Sequence, residues 1–143
     1  MNTVISEREY GSALLTGYEY LDRVCINLSA CLDSFEYFLI SSQIGIAEPI
    51  DGILGLSRNN QFFIAPELGN ITGPLLIESM ADAGVINANK FSFYFQSPDK
   101  VSFVDIGEPK TENFRGDSNV VTTQMIEKDF FWSTMNTGIA IGT

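Results

Sequence analysis

Ile50-Asp51-Gly52-Ile53-Leu54-Gly55-Leu56 is an apolar run punctuated by one acid and two glycines. Glycine inside a strand-like run marks a place where another backbone comes close, so a buried strand is expected here. Two further stretches have a comparable character. Tyr10-Gly11-Ser12-Ala13-Leu14-Leu15-Thr16-Gly17 sets a tyrosine beside a glycine at an expected hairpin tip, with strand-like residues following. Phe91-Ser92-Phe93-Tyr94-Phe95 is an aromatic strand, with Val104-Asp105-Ile106-Gly107-Glu108 a turn later. Taken singly, each reads as the core of a sheet. Their order and spacing along one chain carry more.

Around these stretches the sequence has the short alternating runs of an all-β fold. β-branched and aromatic enrichment predicts strands at 12–16, 20–26, 35–41, 91–95, 101–106, 120–125 and 130–135. Turn residues intervene at Pro98-Asp99, Gly107-Glu108-Pro109 and Gly116-Asp117-Ser118-Asn119. One segment has a helical period instead: Pro74, Leu75, Leu76, Met80 and Ala83 predict a short helix over about 74–84. Proline at its first position and Gly84 just past its end follow the usual asymmetry of helix termini. Repeats, low-complexity tracts and an interdomain linker are absent from the sequence.

Composition narrows the chemistry. The 143 residues contain 18 Asp+Glu against 8 Lys+Arg, a net charge of −10, 45% hydrophobic residues and no histidine. That length matches one domain of common size, and the apolar fraction is that of a folded piece and not a disordered acidic tail. Nucleic acid is excluded as a partner, because phosphate binding runs on Lys and Arg. Without histidine there is no Ser-His-Asp or Cys-His catalysis, no imidazole-ligated metal and no imidazole pH switch. Two cysteines fall short of a four-thiolate site, and no metal or other cofactor is expected. Carboxylates are what remains for acid–base work. The longest charge-free stretch, 130–143, has 14 residues and includes Ser133, Thr134, Asn136 and Thr137, too short and polar to span a bilayer. The first ten residues lack the basic and apolar regions of a signal peptide.

Cys25 and Cys31 enclose Ile26-Asn27-Leu28-Ser29-Ala30 between two strand-like runs. A hairpin there brings the two within disulfide reach; two buried free thiols are the other possibility. Asn27-Leu28-Ser29 and Asn70-Ile71-Thr72 are glycosylation sequons, consistent with secretion.

With these stretches in view, the chain resembles the pepsin-like aspartic endopeptidases, the two-lobed β proteins of the pepsin and cathepsin D type (peptidase family A1). Tyr10-Gly11-Ser12 with Thr16-Gly17 looks like the flap hairpin of that family, and Leu21-Asp22-Arg23-Val24 like the strand after it. Asp51-Gly52-Ile53-Leu54-Gly55-Leu56 matches its Asp-Gly-Ile-Leu-Gly-Leu signature residue for residue. Residues 74–86 look like the helix that follows, 91–95 like the strand toward the second lobe, and Phe131-Trp132 with Met135 like the aromatic pair opening that lobe's first sheet. The resemblance implies an all-β fragment of the two-lobed fold with one short helix. Residues 1–95 would be the later part of the N-terminal lobe, and 96–143 the interlobe strands and the start of the C-terminal lobe.

The family's activity is peptide-bond hydrolysis by a water held between two aspartates about 3 Å apart, which share one proton because both cannot ionise easily. Those aspartates lie in Asp-Thr-Gly or Asp-Ser-Gly loops, and the sequence contains neither motif. Asn136-Thr137-Gly138 has the amide where the acid should be, at a position where the family has an ordinary strand. The expectation is therefore a central fragment of such an enzyme, from a truncated gene model or partial sequencing. Alone it would neither fold cooperatively nor cleave protein, and its partners would be a peptide or protein substrate and the missing lobes of the same polypeptide.

By resemblance, Tyr10 would close over a bound peptide while Gly11 and Ser12 hydrogen-bond its backbone. Ile50 and Ile53 would line the pocket on the amino-terminal side of the cut, and Phe131 would wall the other side. Asp51, Gly52, Leu54 and Gly55 would be structural, with Leu54-Gly55 bracing a catalytic loop. One departure stands out: Ala13 occupies a flap-tip position that is usually glycine, which strains the backbone only if φ is positive there. The kinship, the cysteine pair and the sequons point to the secretory pathway, a lysosome or vacuole, or the exterior. A reading from another class keeps the scaffold without the chemistry, as a non-catalytic peptide-binding or inhibitor-like protein. A generic acidic β-sandwich unrelated to peptidases sits badly with the match at 51–56.

Overall fold

The computed structural model describes residues 4–46, 49–58, 73–110, 112, 121–126 and 131–140. Its main sheet is an antiparallel meander of three strands in sequence order: β1 (Ser6–Tyr10), β2 (Ala13–Asn27) and β3 (Ala30–Ile44). A smaller antiparallel pair, β4 (Phe91–Tyr94) and β5 (Phe103–Ile106), follows the single helix α1 (Leu76–Asp82). The all-β expectation with one short helix holds.

The β1–β2 hairpin turns on two residues, with Tyr10 opposite Ala13. Gly11 supplies φ +63 at the first central position, and Ser12 needs no positive φ. That combination belongs to the type II′ turn, whose twist matches that of the strands it joins. Ala13 lies inside β2 without a positive φ, so its Cβ carries no backbone strain. Along β2, Ala13, Leu15 and Gly17 are buried and alternate with the more exposed Leu14 and Thr16, the period-two pattern of a half-buried strand.

Strands expected separately at 12–16 and 20–26 are one continuous 15-residue strand. Its pairing with β3 shifts register at Thr16/Gly17, Asp22/Val24 and Cys25/Asn27. Such irregularities change the side of the sheet that later side chains take, and past the second of them Val24 and Ile26 are the partly buried residues. At the far end Cys25 pairs directly with Cys31 and the two form a disulfide, so the free-thiol alternative is set aside.

The core is small and lies where α1 meets β3. Leu32, Leu76 and Met80 are buried together, with Val24, Ile26, Phe35, Val85 and Ile86 packed around them. Seven residues are too few for a helix to persist alone, so α1 depends on this contact. It starts later than expected. Leu75, with extended backbone, is the N-cap and Leu76 the first helical residue, leaving Pro74 outside. The burial of Leu76, Ile77 and Met80 on one face, and not proline's fixed φ, sets the start.

The end agrees with expectation. Gly84 has φ +68, its N–H donates to Ala81 O at 3.0 Å, and the Val85 N–H donates to Met80 O at 2.8 Å. These are the two bonds of a Schellman motif, and Val85 packing against the Met80 cluster is its usual hydrophobic partner.

In the smaller sheet, Phe91 pairs with Ile106 and Tyr94 with Phe103, inside the strands predicted at 91–95 and 101–106. The turn between them contains Pro98-Asp99, as expected, and the Lys100 N–H donates to Ser97 O at 2.9 Å. The Asp99 carboxyl is held below its ordinary value of 3.8, first by a hydrogen bond from the Ser97 side chain and then by its own backbone. A depressed carboxylate pKa steadies the turn above the unfolded value, and that support is lost as pH falls through the folded one. Ser97→Ala is expected to move the Asp99 midpoint upward, read from the carboxyl carbon shift during an NMR titration. An unmoved midpoint would refute the assignment.

Two other expectations are corrected. Residues 50–56 do not form a buried strand: 49–58 have no regular secondary structure, and Ile50, Ile53 and Leu54 are exposed. A Cβ placed on Gly52 or Gly55 meets nothing within 4 Å, so no backbone crowds either glycine among the described residues. An apolar run becomes a strand only when a ladder partner lies beside it, and 49–58 pair with no described strand. The strands predicted at 120–125 and 130–135 reduce, in their described parts, to one bridge between Met125 and Thr134. Val120, Phe130, the turn at 116–119 and the Asn70-Ile71-Thr72 sequon lie outside the described residues.

Candidate functional site

The signature segment lies between two clefts. The first, about 490 Å³, has Ile53, Leu54 and Gly55 on one wall and Arg8, Glu19 and Phe38 of the main sheet on another. Pro74, Leu75 and Leu76 close its end. The sheet wall is fixed by electrostatics: Arg8 pairs with Glu19 across β1 and β2 and lies 4.5 Å over the Phe38 ring. These groups are partly exposed, so the ion pair positions side chains more than it stabilises the fold.

The second cleft, about 680 Å³, is mainly apolar. Leu56 lines it with Leu76 and Ile77 of α1, Phe91 and Phe93 of β4, and Trp132. Trp132 is held there by two contacts. Its Nε1–H donates to Leu56 O at 2.7 Å, and its ring meets Phe91 edge-on with centroids 5.4 Å apart. Just past the signature, Arg58 donates to Ile126 O at 3.1 Å, a second tie from this stretch to the C-terminal part of the chain.

Of the residues singled out from sequence, Ile53, Leu54 and Gly55 are brought together with the main sheet and α1. Tyr10, Gly11, Ser12, Ile50 and Phe131 line neither cleft. Tyr10 stands 57% exposed at the end of β1, and Phe131 61% exposed beside Trp132. Asp51 and Gly52 are exposed in the irregular segment. The tie from Trp132 to Leu56 spans 76 residues and had no local signal beyond the presence of a single tryptophan. Among the described residues no group of three or more Asp, Glu or Cys is placed to hold a metal. No described helix is long and apolar enough to cross a membrane.

A family model of the eukaryotic aspartyl proteases matches residues 2–143, a span that takes in the Gly11 hairpin, the 50–56 segment, α1 and the Phe91 strand. The chain belongs to that family. Neither a curated protein sequence nor a solved structure matches it. For this aspartyl protease family member, membership removes the unrelated β-sandwich from consideration, since the match covers nearly the whole chain. The distinctive chemistry of eukaryotic aspartyl proteases still needs two aspartates in glycine loops, and the sequence has neither Asp-Thr-Gly nor Asp-Ser-Gly.

Proposed function

We propose that the chain supplies the substrate-covering hairpin and pocket walls of an aspartic endopeptidase whose two catalytic aspartates belong to other parts of the same polypeptide. The observation that carries this is the family match over 2–143. In this reading Tyr10 closes over an extended peptide, and Gly11 and Ser12 meet its backbone. Ile50 and Ile53 receive a large apolar side chain before the cut, and Phe131 walls the far side. Residues 1–95 belong to the first lobe and 96–143 lead into the second.

Exposed apolar side chains support a larger assembly. Leu21, Phe95, Val101 and Met135 stand open among the described residues, surface that a further layer of protein would cover. The water-activating pair would share one proton and act in acid, and the disulfide fits a secretory, lysosomal or vacuolar, or extracellular setting. No cofactor enters this chemistry.

The lack of both glycine-loop motifs favours a second reading, a peptide-binding or inhibitor-like protein on the same scaffold. The two separate by sequencing the transcript and assaying its product on denatured haemoglobin at about pH 3 to 5. Pepstatin-sensitive cleavage by a product with Asp-Thr-Gly or Asp-Ser-Gly in frame on both sides, and none by the 143-residue chain, is the expected result. In-frame stops on both sides, with peptide binding but no cleavage, would establish the second reading instead.

A further inference from the structure

We propose that Asn27 is an N-glycosylated residue, its side-chain amide taking an oligosaccharide from a lipid-linked diphosphate donor. Asn27-Leu28-Ser29 forms the turn between β2 and β3 and reads as an acceptor triplet with no proline in the middle. Position and geometry favour modification. All three residues are exposed, and Leu28 is fully so, leaving an apolar side chain bare at the tip of a hairpin. The Asn27 side chain is oriented by its oxygen alone. Oδ1 accepts from the Ser29 N–H, the Ser29 hydroxyl and the Ala30 N–H, each at 2.9 Å. The turn makes no use of the nitrogen.

That arrangement also gives the hydroxyl two residues on a role. Donors gathered on Oδ1 stabilise the charge that grows there as Nδ2 loses a proton and becomes nucleophilic. Nδ2 attacks the anomeric carbon of the donor sugar, a C–N bond forms, and the bond from that carbon to the diphosphate oxygen breaks. The lipid diphosphate departs, and the proton passes to a basic group of the transferring enzyme. No oxidant or reductant is involved.

An independent feature places the chain where such a donor is found. The Cys25–Cys31 disulfide brackets the triplet, and disulfides persist in oxidising, secretory-type compartments. None of this depends on the peptidase reading, so either stands if the other fails.

The test is to express the full chain with a secretory leader in a eukaryotic host. Both the intracellular and the secreted pools are treated with peptide N-glycosidase in heavy-oxygen water and digested with trypsin. Arg23 and Arg58 bound a peptide, 24–58, that contains Asn27 but not Asn70, so the two sequons are read apart. Heavy-oxygen Asp at position 27 is the expected result, abolished by Asn27→Gln and by Ser29→Ala and kept by Ser29→Thr. The intracellular pool keeps the result readable for a variant that fails to leave the cell. An unlabelled 24–58 peptide from a host that labels a control glycoprotein overturns the proposal, as does label persisting in Ser29→Ala.

Discussion

Gly17→Ala is expected to accelerate amide hydrogen exchange across the β2–β3 ladder by about a hundredfold, equivalent to about 3 kcal/mol of local stability. A Cβ at Gly17 collides with the backbone carbonyl oxygen of Leu39 and comes within 3.0 Å of its carbon and of the Phe38 ring. A flexible side chain would give way; a carbonyl held in a ladder cannot move without breaking its own hydrogen bonds. The collision falls at the register shift between Thr16 and Gly17, where the ladder is already interrupted, so the opening should spread along both strands. Gly52→Ala is the control. Nothing lies within 4 Å of a Cβ there, and exchange should stay within a few-fold of the parent. Equal protection in the Gly17 variant and the parent would show that the close approach at Leu39 is absent in solution.

That contrast also shows what sequence could and could not convey. Gly17 and Gly55 look alike as letters within apolar runs, yet one is pressed against a neighbouring strand and the other opens on empty space. Local chemistry was legible where it closes on itself. The Gly11 turn, the disulfide hairpin, the helix end at Gly84 and the Phe91 strand each need only a few neighbouring residues.

What was not legible depends on distant partners. The continuity of β2 through residues 17–19 is imposed by β3 and its register shifts, which no period in the sequence reveals. The run at 50–56 has strand composition without a described ladder partner, and its firmest tie is the bond from Trp132 to Leu56. The candidate site divides along the same line. Ile53, Leu54 and Gly55, though exposed, line a cleft with α1 and the main sheet, whereas Tyr10, Ile50 and Phe131 line neither cleft.

Met80→Ala should be the most damaging single truncation in the described structure. Met80 is the one described side chain fully removed from solvent, and it serves three contacts at once: Leu32 on β3, Leu76 one turn back on α1, and Val85 beyond the helix end. Its carbonyl also accepts from both Val85 and Ile86, at 2.8 and 3.3 Å. Removing the thioether leaves a cavity that only a helix of seven residues can collapse into, and that helix has no side-chain cap to hold it while it moves. The expected cost is about 3 kcal/mol, within the usual range for burying and then deleting such a side chain. Because α1 has little intrinsic stability, the loss should appear as helix opening before the sheet loosens. Amides from Ser79 to Ile86 should exchange about a hundredfold faster while those pairing Tyr18 with Leu39 keep most of their protection. Met80→Leu, which keeps volume and apolar character, should cost less than about 1.5 kcal/mol. Uniform acceleration across helix and sheet would mean that the two form one cooperative unit, and an unchanged helix would mean that the core is not where Leu32, Leu76 and Met80 place it.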